Sequence, residues 1–336
     1  MEKIVIEGGA RLTGEVTISG AKNAALPLIC ATILAPGRNI LTNVPRLGDV
    51  RTVLKLLAII GADVDMEWPR VVVDTTDLDN PVAPYELVKT MRAAILVLGP
   101  LVARYQRAKV SLPGGCAIGA RPINLHLKAL EAMGARIEIK KGYVEVFCER
   151  LKGAHIQFPV ATVGGTENIM MAATLADGVT TIENAAREPE IVDLANMLNA
   201  MGAKVEGAGS STVTITGVES LSAVEHQVIP DRIEAGTFMI AAAITGGEIR
   251  LHEAALDHLE ADPPDLLRVV FNPAGARVVL GEVDGTLGPH LQRGVDEQRR
   301  GAGGSLVDGE QQTFHGRLLD GGGGSIGPSL RSVKVA

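Results

Sequence analysis

Cys116 lies in the run Leu112-Pro113-Gly114-Gly115-Cys116-Ala117-Ile118-Gly119-Ala120-Arg121, a single thiol between paired glycines and an arginine that directly precedes Pro122. Glycines permit positive φ and close backbone approach, so such a loop can fold over a small ligand. Arg121 before Pro122 puts a fixed cation at a helix N-terminus, a combination suited to phosphate or carboxylate. A thiol beside that positive potential has a lowered pKa and can exchange a proton near neutrality. The same residues also fit a small buried cysteine in a glycine turn. Lys22-Asn23 opens an apolar helix. A cation is electrostatically unfavourable there, so an anion bound at Lys22 explains the pair better than a solvated lysine beside an Asn N-cap. Arg92 stands on an otherwise apolar helix, three residues after Lys89 on the same face, and reads on its own as a snorkelling arginine. Glu188 and Glu190 follow a strand and fit either caps or site carboxylates. His126, inside the helix that Arg121 opens, is expected to face solvent.

The elements that must hold these residues repeat. A helix ending in a Gly-Ala turn that feeds a strand recurs at Gly61-Ala62, Gly134-Ala135 and Gly202-Ala203. A second helix-to-glycine marker recurs near Gly37, Gly178 and Gly246-Gly247. The period, near 70 residues, is too long for a solenoid and fits a duplicated module of two helices and about four strands. The apolar spacing predicts helices over 23–34, 50–60, 85–98, 123–133, 167–176, 191–201 and 235–244. Short β-branched runs at 71–73, 144–146 and 212–215 predict strands. The most hydrophobic segment, 91–102, is interrupted by Arg92 and by Gly99-Pro100, too short and broken for a membrane span. After Asp262 the pattern decays. Glycine supplies 15 of the last 74 residues against 24 of the first 262, so most of that tail is expected to be flexible or poorly packed, although Gly275-Ala276 falls where one more turn is due.

At 336 residues and 46% hydrophobic content, the chain is long enough for two α/β domains with large cores, and 3% aromatics makes those cores aliphatic. The net charge of −7 argues against a broad nucleic-acid surface. No apolar stretch reaches the roughly 20 residues of a membrane span. Met1–Glu7 reads as a short strand and not as a signal peptide. Three scattered cysteines suit reduced cytoplasmic thiols, and no Cys/His spacing suggests a metal.

With the Cys116 loop, Ser19-Gly20-Ala21-Lys22-Asn23-Ala24, Ala186-Arg187-Glu188-Pro189-Glu190-Ile191-Val192-Asp193 and Pro230-Asp231-Arg232-Ile233-Glu234 together, residues 1–262 resemble the UDP-N-acetylglucosamine 1-carboxyvinyltransferase family. The resemblance implies a two-domain, pseudo-symmetric inverse α/β prism of repeated βαβαββ units. One domain would be 22–229, the other 1–21 with 230–262 and incomplete, followed by an aberrant tail 263–336. It implies transfer of an enolpyruvyl group from phosphoenolpyruvate to the 3′-hydroxyl of UDP-N-acetylglucosamine, without a cofactor. By the same resemblance Cys116 is the acid, Lys22 and Asn23 contact phosphoenolpyruvate, and Arg92 binds substrate. Arg121 reaches phosphate, and Arg121, Pro122, Ile123, Asn124 and Leu125 hold the uridine nucleotide. Asn124 replaces the aspartate usual there, keeping an acceptor oxygen but no charge. The motifs that ordinarily supply a catalytic aspartate and further arginines are not found after Asp262. A shifted frame or truncated gene would account for that, and a remnant that binds UDP-sugar without turnover is the alternative. The related shikimate-pathway transferases share fold and chemistry, but a cysteine in this loop argues against them.

Overall fold

A computed structural model of the chain describes residues 8–85, 92–111 and 123–260, with the strand backbones at 278–279 and 332–335. In chain order, β1 (Thr13–Thr17) precedes α1 (Lys22–Ala31), β2 (Arg38–Thr42), α2 (Gly48–Ile59), β3 (Asp63–Glu67) and β4 (Arg70–Asp74). Next come β5 (Val82–Ala83), a 3-10 turn (Arg92–Val97), α3 (Leu98–Tyr105), β6 (Arg107–Ser111), α4 (Asn124–Ala132), β7 (Arg136–Lys140) and β8 (Tyr143–Phe147). The third set is β9 (His155–Gln157), α5 (Val163–Ala173), β10 (Val179–Glu183), α6 (Pro189–Ala200), β11 (Lys204–Glu206) and β12 (Thr212–Thr216). Then follow β13 (Glu225–Gln227), α7 (Arg232–Thr245), β14 (Glu248–His252), α8 (Asp257–Glu260), β15 (Val278–Val279) and β16 (Ser332–Val335).

These elements form one module, four times over. Each four-stranded sheet has a first strand parallel to the second, with the fourth antiparallel to both the second and the third. β5-β6-β8-β7 and β9-β10-β12-β11 run within one stretch of chain, whereas the first module borrows β13 from far downstream to lie parallel to β2. The fourth sheet, β1-β14-β16-β15, takes its first strand from the N-terminal region and its last two from beyond Asp262. The second strands start at Arg38, Arg107, Val179 and Glu248, so at intervals of 69, 72 and 69 residues. The period read from the turns therefore continues into the fourth module, and β15 follows Gly275-Ala276 as the repeat demands. Ser19–Asp231 forms one unit, and the described residues of Met1–Ile18 and Arg232–Ala336 form the other.

Local sequence explains the elements. α1 buries every residue from Ala24 to Ala31 because it is nearly apolar all round, and α5 every residue from Gly165 to Ala173, with Thr166, Glu167 and Asn168 among them as buried polar groups. α2 instead buries Val50, Val53, Leu54 and Leu57 while Arg51 and Lys55 face water, the one-sided spacing of an outer helix. The Gly-Ala turns are left-handed at Gly61, Gly134 and Gly202, with φ of 111°, 88° and 104°, where a side chain would be strained. The residue after the second strand also has positive φ, at Asn43, Asn184 and Glu253. Each such residue turns the chain towards the second helix of its module.

α3 begins at Leu98, so Pro100 falls in its first turn, where an N–H has no helical acceptor to lose. One expectation needs correction. The expected helix 85–98 is replaced over Arg92–Val97 by 3-10 structure, and residues 86–91 lie outside those described.

Candidate active site

α1 starts at Lys22, and its N-cap is Ala21 with no side-chain cap, so Asn23 is not the cap. Asn23 is exposed and free to meet a ligand, and Lys22 is half-buried. Pro27, four residues on, has no N–H to return to the Asn23 carbonyl. The Lys22 N–H donates to Asp231 Oδ2 at 3.3 Å, and its Nζ lies 3.3 Å from Asp49 Oδ2 in the first turn of α2. That ion pair is 40% and 47% exposed, which leaves it weak and exchangeable for another anion. Sequence reasoning missed Asp49, for which an acid in a helix's first turn was the available signal, and gave Asp231 no role although its motif was noted.

Glu188 is the N-cap position of α6, Pro189 its first residue, and Glu190 lies in its first turn, where the helix dipole favours a carboxylate. The Glu188 side chain makes no capping bond, and its buried Oε2 has no hydrogen-bond partner among the described residues. Beside them, on α5, Glu167 is 3% exposed. Burial first, then the charges of Glu190 and Glu188, push its pKa up to about 8. Glu167 is therefore largely a neutral acid at pH 7. Burial and the Glu167 carboxyl together push the Cys30 thiol far above its ordinary range, so Cys30 is no nucleophile.

His126 is not at the surface, contrary to expectation: it is 7% exposed on α4. Burial drives its pKa down to about 4, so the ring is neutral. Asn168 Oδ1 accepts from Gly99 N at 2.7 Å, which orients the amide, and its Nδ2 donates to Ile95 O at 3.2 Å and to His126 Nδ1 at 3.0 Å. The ring proton is thereby assigned to Nε2.

Ile123 is the N-cap of α4, Asn124 its first residue, and Leu125 follows half-buried. Leu125 lines a cleft of about 290 Å³ with Lys128, His155, Phe158 and Pro159. Lys128 brings a cation to a mixed polar and apolar lining, whereas His155 Nε2 already pairs with Glu183 Oε1 at 3.0 Å. The lysine, imidazole and phenyl of this cleft were not singled out from sequence, because they come from a helix and a strand brought together only by folding. Cys116, Arg121 and Pro122 lie outside the described residues, as does the side chain of Arg92, which opens the 3-10 turn.

A model of the EPSP synthase (3-phosphoshikimate 1-carboxyvinyltransferase) family matches residues 6–299, continuing past Asp262. The chain is 55% identical over 315 residues to the UDP-N-acetylglucosamine 1-carboxyvinyltransferase of Geotalea uraniireducens, covering 93% of this chain and 74% of that protein. It belongs to the UDP-N-acetylglucosamine 1-carboxyvinyltransferase family. The carboxyvinyltransferase of Acinetobacter baylyi is 58% identical over 285 residues, of which this chain spans 66% of the length. Among solved structures, the enolpyruvyl transferase NikO from Streptomyces tendae superposes with a TM-score of 0.72 at 24% identity, covering 82% of this chain and 65% of that one. EPSP synthase from Acinetobacter baumannii gives 0.60 at 24% identity, with 74% and 57% covered. This carboxyvinyltransferase-family chain thus has the two-domain inverse α/β fold of the enolpyruvyl transferases while spanning about two thirds of their length. No helix among the described residues is long and apolar enough to cross a membrane.

Proposed function

We propose that the chain moves the enolpyruvyl group of phosphoenolpyruvate onto the 3′-hydroxyl of UDP-N-acetylglucosamine, releasing phosphate, in the cytoplasm as an early step of peptidoglycan synthesis. The observation that carries this reading is the 55% identity over 93% of the chain to a protein named for that reaction. The start of α1 supports it: a lysine and an asparagine at a helix N-terminus suit the phosphate and carboxylate of phosphoenolpyruvate, and the side-chain pair of Lys22 with Asp49 is weak and half-exposed. The cleft beside Leu125 suits the uracil and diphosphate of the nucleotide.

The chemistry is addition followed by elimination. Cys116 protonates the C3 methylene, C2 becomes electrophilic, and the sugar oxygen attacks it with loss of the hydroxyl proton to a base. The tetrahedral intermediate then returns a C3 proton and expels phosphate, so the protons balance and the products are an enolpyruvyl ether and inorganic phosphate. Lys22, Asn23, Arg92 and Arg121 hold the anionic groups, and Pro122, Ile123, Asn124 and Leu125 seat the nucleotide. The unit Ser19–Asp231 carries all of these residues.

Phosphate release from the two substrates tests the reading. Wild type is expected to release phosphate only when both are present, and Cys116→Ser to abolish turnover together with alkylation by an epoxide phosphonate such as fosfomycin, read by mass spectrometry. Nucleotide-sugar binding with no phosphate release from wild type would overturn the enzymatic reading. Equal alkylation of variant and parent would overturn the role of Cys116.

A further inference from the structure

The crossover that follows β13, Val228–Asp231, is hydrogen-bonded on three sides. From α6, the Asp193 carboxylate, 3% exposed, reaches it: Oδ1 accepts from His226 Nε2 at 2.7 Å and Oδ2 from Ile229 N at 3.3 Å. Towards β2, Val228 N donates to Thr42 O at 3.0 Å, and Asn43 Nδ2 donates to Val228 O at 2.9 Å. Towards α1, Ala21 N donates to Ile229 O and Asp231 N to Ser19 O, both at 2.8 Å, and Lys22 N donates to Asp231 Oδ2 at 3.3 Å. One residue, Ile229, therefore donates its N–H to the buried carboxylate and accepts the Ala21 N–H on its carbonyl.

We propose that Asp193, held by His226, is a positioning residue for Lys22: it fixes the crossover Val228–Asp231, and that crossover fixes where α1 begins. This rests on the reading of Lys22 as a phosphoenolpyruvate contact. A carboxylate this buried needs charge-assisted or backbone donors, and the two it has among the described residues belong to the β13 strand and its crossover. Removing it leaves Ile229 N–H without its acceptor and releases the hydrogen-bonded link, among the described residues, that runs from α6 through this crossover to the Ala21–Lys22 backbone, leaving α6 and α1 joined by side-chain packing. The other tether of Lys22, its ion pair with Asp49, acts on a flexible side-chain tip at partial exposure and cannot set the backbone. Displacement of a substrate-holding group by about 1 Å can cost on the order of 10² in rate. His226 reaches Asp193 from β13 itself, so the pair also ties the strand that completes the first module to the helix behind it.

The experiment compares Asp193→Ala, Asp193→Asn and His226→Gln in the full chain. Steady-state phosphate release is measured with each substrate varied, together with amide hydrogen exchange over 19–23 and 226–231. Asp193→Ala is expected to raise KM for phosphoenolpyruvate about tenfold or more while KM for the nucleotide sugar stays within about twofold, and to speed exchange over 19–23. His226→Gln, which keeps a donor, is expected to stay near wild type. Asp193→Asn, which keeps an acceptor for Ile229 N, is expected to fall between them, and it carries the comparison should Asp193→Ala not fold. A folded Asp193 variant with both KM values unchanged, or with both raised equally, overturns the proposal. If wild type itself releases no phosphate, the functional reading fails separately, and exchange decides alone: acceleration confined to 19–23 and 226–231 upholds the positioning role, and unchanged exchange there ends it.

Discussion

Two buried ionisable groups make opposite demands on pH. Glu167 titrates near 8 in the folded chain against 4.5 as an ordinary carboxyl, so the folded state holds an extra proton between those values and stability falls as pH rises through them. His126 titrates near 4 against an ordinary 6.5, so the unfolded state holds the extra proton and stability rises over that span. The two contributions oppose each other from pH 4.5 to 6.5, and above 6.5 only Glu167 still acts. Denaturant midpoints are therefore expected to drop between about pH 6.5 and 8, and Glu167→Gln to flatten that drop; an identical slope in the variant would refute the assignment. Neither group was recognisable from its neighbours in sequence. His126 occupies a position on an amphipathic helix whose burial depends on what packs there, and Glu167 is costly first because the core closes over it and then because Glu190 and Glu188, some twenty residues away in the chain, arrive beside it.

Glycines mark the joints between elements, but for two different reasons. Gly134 has φ of 88° with nothing within 4 Å of where a Cβ would stand, so it is needed for conformation alone. At Gly20 a Cβ would come 1.7 Å from the Asn43 carbonyl oxygen, so it is needed for close approach. Gly134→Ala is expected to cost about 1–2 kcal/mol in urea denaturation. Gly20→Ala is expected to cost more and also to raise KM for phosphoenolpyruvate, because the chain must shift two residues before Lys22. Equal costs with unchanged kinetics would show that the Gly20 contact relaxes freely. Helices and Gly-Ala turns were legible in the chain because both are set by residues within a turn or two of each other. The start of α3 was not, since the apolar spacing predicts a helix over 85–98 whereas Arg92–Val97 is a 3-10 turn and the α-helix begins only at Leu98.

The two units carry separate cores. One cluster runs from Ala21 to Val228, and the other gathers Ile18, Ala235, Met239, Ala242, Ile249, Leu251, Ala254 and Leu259. Each of the three modules in Ser19–Asp231 has its full sheet, so that stretch expressed alone is expected to unfold cooperatively and to bind nucleotide sugar without releasing phosphate. A broad, non-cooperative transition would show that the other unit is needed for folding. By itself the sequence determined the module length, the helices that build it and the aliphatic character of the core, all of which follow from local periodicity and side-chain chemistry. Folding alone decided that β13 completes the first sheet, that two strands beyond Asp262 complete the fourth, and that Asp231 meets the Lys22 amide from 209 residues away. Those pairings satisfy backbone groups and buried charges across distances over which no local pattern can register a partner.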